Sequence, residues 1–426
     1  MGKCYTSSEM AIRWAVGLGA CIASLGAAST QRAAPVSDLV KTPAVAAALA
    51  AAKAGEPKAI EDQIRFCEIP APPFHEAERG AELKRTFDQL GLQNVRVDKA
   101  GNVLGDYPGA SPHPRLVMAA HLDTVFPEGT NVKVRRDGTV LHGPGIGDDC
   151  RGLAVLVSVI RSMKQARVQT PGTITFVADV GEEGLGDLRG MKQLFNDTLK
   201  GQVDTFVSID GTGLSTSYSF VGSHRYRVTV KGPGGHSFGA FGLANPADAL
   251  GRAIAKIADF QVPKDPKTTF NIGRIGGGTS VNAVPAEAWM EVDMRSVDRA
   301  ALESVDANFQ RAVDAAVREE NERWNTPRLL IVTKELVGDR PIGSQSAEAP
   351  IVKTALEVVR ALGMSGAIGT GSSDANYPLS LGIPSLDIGG GGRGADAHAL
   401  GESYDTTDSW KGTERALLLT VALAQR

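Results

Sequence analysis

The chain has 426 residues, more than one ordinary domain holds, and 42% of them are apolar, enough for sizeable cores. Aromatics make up only 5%, so those cores rest on Ala, Val, Leu and Ile. A formal net charge of −3 offers no basis for a nucleic-acid partner, and four cysteines without a Cys-x-x-Cys spacing do not make a disulfide framework.

The N-terminus reads as a leader. Lys3 and Arg13 supply positive charge, residues 14–25 are apolar, and Ala27-Ala28-Ser29 offers small residues for cleavage. This is the pattern of a secretory signal peptide over 1–30, too short to span a bilayer. Leu18-Gly19-Ala20-Cys21 also fits a lipoprotein box with an acylated Cys21, and a third reading is an apolar helix of the mature protein. The expected location is therefore outside the cytoplasm, periplasmic or secreted. No later segment is long and apolar enough to cross a membrane.

Residues 31–45, rich in Ala, Pro and Ser, read as a linker. Helical patterns follow at 44–66 and 75–91, the second stopped by Gly91. Strands are then predicted at 115–120, 173–180 and 204–209, alternating with helices at 152–164 and 188–195. That alternation predicts an α/β domain with a mainly parallel sheet. From about 222 the rhythm changes to strand 224–231, helix 246–259, strands 268–275 and 288–296, helix 299–321 and strand 328–335. This β-α-β-β-α-β order is that of a ferredoxin-like domain. The α/β rhythm resumes with helix 350–362, strand 384–388 and helix 410–424. The expected layout is a catalytic domain in two parts, 46–221 and 337–426, with a small α+β domain, 222–336, inserted between them.

Five clusters carry chemistry. In Ala120-His121-Leu122-Asp123, at the end of an apolar strand, His121 and Asp123 share a face, and a carboxylate beside an imidazole suits a metal-bound histidine. In residues 143–154, GPGIGDDCRGLA, glycines permit a tight turn before a helix. Asp148 and Asp149 there are either both cap residues, or Asp148 bridges two metals while Asp149 caps. Glu182 and Glu183 follow another apolar strand, and one can bind metal while the other takes a proton from water. Asp210 ends a third strand. A glycine-rich stretch from Gly389 to Gly394 leads to Asp396-Ala397-His398. Four of these five clusters lie at the C-terminal ends of predicted strands, where α/β sheets place their sites. Two histidines and several carboxylates, without cysteine, form an oxygen and nitrogen set suited to a pair of divalent metals.

With these motifs in order over roughly residues 45–426, the chain resembles the co-catalytic zinc exopeptidase and deacylase family of peptidase T, periplasmic glutamate carboxypeptidase, succinyl-diaminopimelate desuccinylase and aminoacylase. The resemblance implies two Zn2+ ions, with Mn2+ or Co2+ as substitutes. His121, Asp148 and Asp210 would hold one ion, and Asp148, Glu183 and His398 the other. Asp123 would orient His121, and Glu182 would be the general base. The inserted domain would be a dimerisation or lid domain. His236, in Gly234-Gly235-His236-Ser237, would polarise the scissile carbonyl across a homodimer. Asn282 and Arg340 would contact substrate, the arginine through a carboxylate. Arg295, in Asp-Met-Arg, is read as structural. Cys150 departs from the family pattern, standing where a lysine is common. Asp rather than Glu at 210 resembles the aminopeptidase and dipeptidase branch. The implied activity is amide hydrolysis in short peptides. A deacylase or carboxypeptidase acting on N-acyl amino acids is the alternative, and a non-catalytic binding protein the remote one. His75, His113, His142 and His224 are read as lacking ligand partners.

Overall fold

The structure, a computed structural model, describes residues 1–2, 34–325 and 329–425. The leader and Cys21 lie outside the described residues. The predicted linker only partly survives. Val36–Leu39 forms a turn of helix whose Val36 and Leu39 are buried in the main core, because small apolar residues there fill the space beside the C-terminal helix.

The larger layer is an eight-stranded sheet. Its strands are β1 (Gln93–Val97), β2 (Val103–Tyr107), β3 (Arg115–His121), β4 (Thr173–Asp179), β5 (Thr205–Ile209), β6 (Thr216–Phe220), β11 (Ile368–Gly371) and β12 (Ser385–Ile388). Their order is β1-β2-β4-β3-β5-β12-β6-β11. Four neighbour pairs are parallel and three antiparallel, so the predicted parallel centre is flanked by antiparallel strands. Both faces are covered, which explains the continuous apolar run of β3. Leu116, Met118 and Ala120 enter one core, while Val117 and Ala119 enter the other.

Helices α1 (Pro43–Ala54), α2 (Glu56–Cys67), α3 (Ala77–Gln89), α4 (Cys150–Gln165), α7 (Pro350–Ala361) and α8 (Trp410–Leu423) flank this sheet. The helix predicted at 44–66 is two helices. Gly55 ends the first, and Pro57, at the start of the second, cannot donate an N–H to continue it. Helix α4 is buried almost all round because α1, α2 and α8 pack over it against the sheet.

The inserted layer has strands β7 (Gly222–Lys231), β8 (Thr268–Gly277), β9 (Glu287–Ser296) and β10 (Ile331–Arg340), with helices α5 (Pro246–Ala258) and α6 (Arg299–Trp324). The antiparallel order β8-β9-β7-β10 is ferredoxin-like. Along β9, Ala288, Met290, Val292 and Met294 point into the helix-covered core, and Glu291, Asp293 and Arg295 alternate outward. Strand β10 continues to Arg340, beyond the predicted boundary at 336. A small four-stranded sheet pairs Ser403–Asp405 with Val140–His142, bringing the chain after His398 against the loop before α4.

Candidate metal centre

Strand ends build the site. His121 is the last residue of β3, Glu182 and Glu183 follow β4, and Asp210 follows β5. Asp148 sits in the loop before α4, and His398 arrives from the stretch after β12. All five predicted metal ligands converge. One group joins His121, Asp148 and Asp210, another joins Asp148, Glu183 and His398, and within each the ligand atoms lie within 4.8 Å of one another. His121, Glu182 and Glu183 form a third such group.

Asp148 stands at the junction. Its Oδ1 is 3.1 Å from His121 Nε2 and its Oδ2 is 3.1 Å from His398 Nε2. His121 Nε2 is also 3.8 Å from Asp210 Oδ1, and His398 Nε2 is 3.1 Å from Glu183 Oε1. Asp149, fully buried, does a separate job. Its Oδ1 accepts from the Gly152 N–H as the cap of α4, and its Oδ2 accepts from the His121 N–H.

Asp123 acts on a different partner from the one expected. His121 Nδ1 lies 3.0 Å from the backbone carbonyl of Asp123 and 3.8 Å from its carboxylate. The carboxylate instead accepts the N–H groups of Gly181, Glu182 and Glu183 at 2.9, 3.2 and 2.9 Å. It therefore fixes the backbone of the glutamate turn, and the imidazole tautomer is set by a carbonyl.

Glu182 carries a cation. Its Oε1 accepts from Arg340 Nη1 at 2.7 Å, its backbone carbonyl accepts from Arg340 Nη2, and the same guanidinium donates to Ser372 Oγ at 2.8 Å. Both side chains are buried. So Arg340, read as a substrate contact, occupies the predicted base in this structure. His236 and Asn282 are elsewhere. His236 lies in a two-residue strand that pairs antiparallel with Ala283–Val284 in the inserted layer, Asn282 directly precedes that partner strand, and both are exposed. Among the described residues no hydrogen bond or ion pair joins either to the carboxylate cluster.

The electrostatics fit a cation site. Burial and the neighbouring Asp148 charge push Asp210 up to about 6, and burial pushes Glu183 up to about 7 despite its bond to His398. His398 is raised to about 11 by its bonds to Asp148 and Glu183. Burial opposes a charged His121, yet Asp148 and Asp210 outweigh it and hold the imidazole well above its ordinary value. Asp148 is held well below the carboxylate range, because the two histidines outweigh its burial. Carboxylates crowded this closely call for countercharge, which two divalent cations would supply.

Three buried carboxyls at or behind the site escaped the sequence reading. Glu402 is buried and accepts N–H groups from the Asp148 loop. Its only sequence signal is its place four residues after His398. Asp179 and Asp374 are buried together behind the site, and neither Asp179 oxygen receives an N–H or a hydroxyl. Burial raises both carboxyls above their ordinary range, and the Asp179 charge adds to the rise at Asp374. Asp179 closing a largely apolar strand, level with His121, was the available hint.

Other residues find plain roles. Cys150, unexplained in the sequence, is buried with Cys67, Leu141, Ile146 and Tyr404 in a small apolar cluster. Arg295 donates to Asp293 on its own strand, a structural pairing. His113 and His224 do have carboxylate partners, Asp204 and Asp306, each at 2.7 Å, but far from the cluster.

Comparison with known proteins agrees with this geometry. The profile of Peptidase family M20/M25/M40 matches residues 117–421. The uncharacterized protein YqjE of Bacillus subtilis is 27% identical over 352 residues, covering 78% of this chain and 90% of that one. A succinyl-diaminopimelate desuccinylase of Bordetella avium is 24% identical, with 80% and 93% covered. Among solved structures, a Staphylococcus aureus tripeptidase superposes with a TM-score of 0.68 at 25% identity, covering 87% of this chain and 99% of that one. The Bacillus subtilis YXEP protein, a dinuclear metal-binding peptidase, gives 0.61 at 16% identity, with 87% and 98% covered. Through the profile match over most of its length, and with the strand-end cluster in place, the chain belongs to Peptidase family M20/M25/M40.

Proposed function

We propose that the chain is a two-metal exopeptidase that cuts the amide bond of short peptides, as an aminopeptidase or dipeptidase. One observation carries this reading: the two ligand groups overlap on Asp148, whose two oxygens face different histidines. His121, Asp148 and Asp210 would hold one ion, and Asp148, Glu183 and His398 the other. Two histidines with carboxylates suit zinc, with manganese or cobalt as substitutes. Such ions, when bound, lower the pKa of water and polarise the scissile carbonyl. Glu182 stands beside this cluster, next to Glu183, which is assigned as a ligand. It would take the proton from the attacking water and deliver it to the leaving amine. Asp123 keeps the turn carrying both glutamates rigid.

His236 and Asn282 complete the reading from a second subunit, their exposed strand pair reaching a partner's substrate in a homodimer. Export rests on the leader pattern. The exopeptidase branch rests on Asp210 and on the tripeptidase likeness. Arg340 favours a second reading, a deacylase or carboxypeptidase, since a guanidinium beside the base suits a substrate carboxylate. The test is a panel of di- and tripeptides alongside N-acyl amino acids, with zinc, manganese or cobalt added. Peptides with free N-termini turning over fastest is the expected result. Preference for N-acyl amino acids would overturn the exopeptidase reading, and a protein that takes up no metal would overturn both.

A further inference from the structure

The loop between strand Val140–His142 and α4 holds Asp148 without any regular structure of its own. Something must fix it, and Glu402 does. Gly145 N–H donates to Glu402 Oε2 at 2.8 Å, and Gly147 and Asp148 N–H donate to Oε1 at 2.8 and 3.1 Å. Gly143 N–H adds a bond of 3.1 Å to the Glu402 backbone carbonyl. The side chain is 2% exposed, and all its hydrogen bonds among the described residues come from backbone N–H groups. The loop thus wraps a carboxylate as a backbone nest wraps an anion.

The glycines make the wrap possible. Gly145 sits at φ +78, a conformation that side chains avoid. A Cβ on Gly147 would come within 3.2 Å of Glu402 Oε1 and 3.0 Å of Thr212 Cγ2. On the other side, Glu402 begins the segment that leads into strand Ser403–Asp405, four residues after His398. One carboxylate therefore joins the chain bearing His398 to the loop bearing Asp148.

We propose that Glu402 is a positioning residue of the metal centre, holding the Asp148 carboxylate between His121 and His398. The inference rests on the metal-centre reading above. Glu402→Gln keeps the shape but turns an NH2 toward one N–H donor, so one side of the nest is lost. Gly147→Ala presses on the same carboxylate without removing it, at a backbone angle alanine tolerates. Both variants are compared with wild type by competitive zinc titration, by the visible spectrum of the cobalt-loaded protein and by thermal unfolding of the metal-free protein. The expected result is affinity weakened about 10- to 100-fold for at least one ion in both variants, with a shifted cobalt spectrum. His398→Ala, which removes a ligand outright, calibrates the loss. Zinc affinity and cobalt spectrum unchanged in both variants, whatever the thermal result, would overturn the inference and leave the metal-centre reading standing. If Glu402→Gln does not fold, Gly147→Ala decides by the same two readouts. Wild type that binds no divalent ion would overturn the metal-centre reading and this inference together.

Discussion

Glu182 and Glu183 are neighbours in sequence with opposite partners, one on a guanidinium and the other on an imidazole. That division supports separate roles. Glu182→Gln is expected to retain both metals by elemental analysis while turnover falls about 10²- to 10⁴-fold; activity near wild type would remove Glu182 as base. Arg340 has a role the sequence did not suggest. Its pairing with Glu182 is buried, so Arg340→Met leaves a buried carboxylate without its cation, and should destabilise the metal-free protein by about 3–5 kcal/mol in urea unfolding. A loss below about 1 kcal/mol would mean that solvent or another group takes over the contact. At this scale the ligands were legible, because histidine and carboxylates at strand ends are conspicuous against apolar strands. Glu402, Asp179 and Asp374 were not. Their partners are a backbone loop and each other, and neither relation leaves a spacing in the chain.

Elements explain why those residues meet. Strands β3, β4 and β5 are adjacent and parallel, so His121, Glu182 and Asp210 emerge at one edge of the sheet. The apolar runs of these strands gave them away in the sequence. Polar or glycine-bearing strands did not: β6 reads Thr-Ser-Tyr-Ser-Phe, and β11 reads Ile-Gly-Thr-Gly. Their pairing comes from neighbours already in the sheet, which no local pattern records. The strand pair at His236 is similarly short, with Gly235 opposite Val284 and His236 opposite Ala283. In the proposed homodimer it would complete a partner's site. His236→Ala mixed with Glu182→Ala should then regain activity on subunit exchange, up to about a quarter of wild type if one mixed site in each heterodimer is intact and half the dimers are mixed. Fluorescence exchange with no recovered turnover would assign His236 to something other than a shared site.

Over the whole molecule, the carboxyls behind the centre tie folding to protons. Asp179 is pushed up to about 7 by burial, and Asp374 is raised well above its ordinary value by burial and by the Asp179 charge. Asp123 and Glu182 add negative charge from neighbouring elements, and His121 opposes them. A carboxyl raised in the folded state keeps its proton where the unfolded chain has released it. Stability from this source is full below the ordinary carboxylate range and is lost as pH rises toward about 7 for Asp179, the reverse of a salt-bridged aspartate. Asp374→Asn replaces the raised carboxyl with a neutral amide of the same shape that no longer titrates. Between pH 5 and 7, the stability of the metal-free variant should therefore fall less steeply than wild type, by about 1.4 kcal/mol per pH unit for the one proton removed. Chemical denaturation across that range measures the two slopes. The other raised groups, Glu183, Asp210 and Glu402, are common to both proteins and cancel in the comparison. Equal slopes would mean that Asp374 is ionised in the folded protein at these pH values.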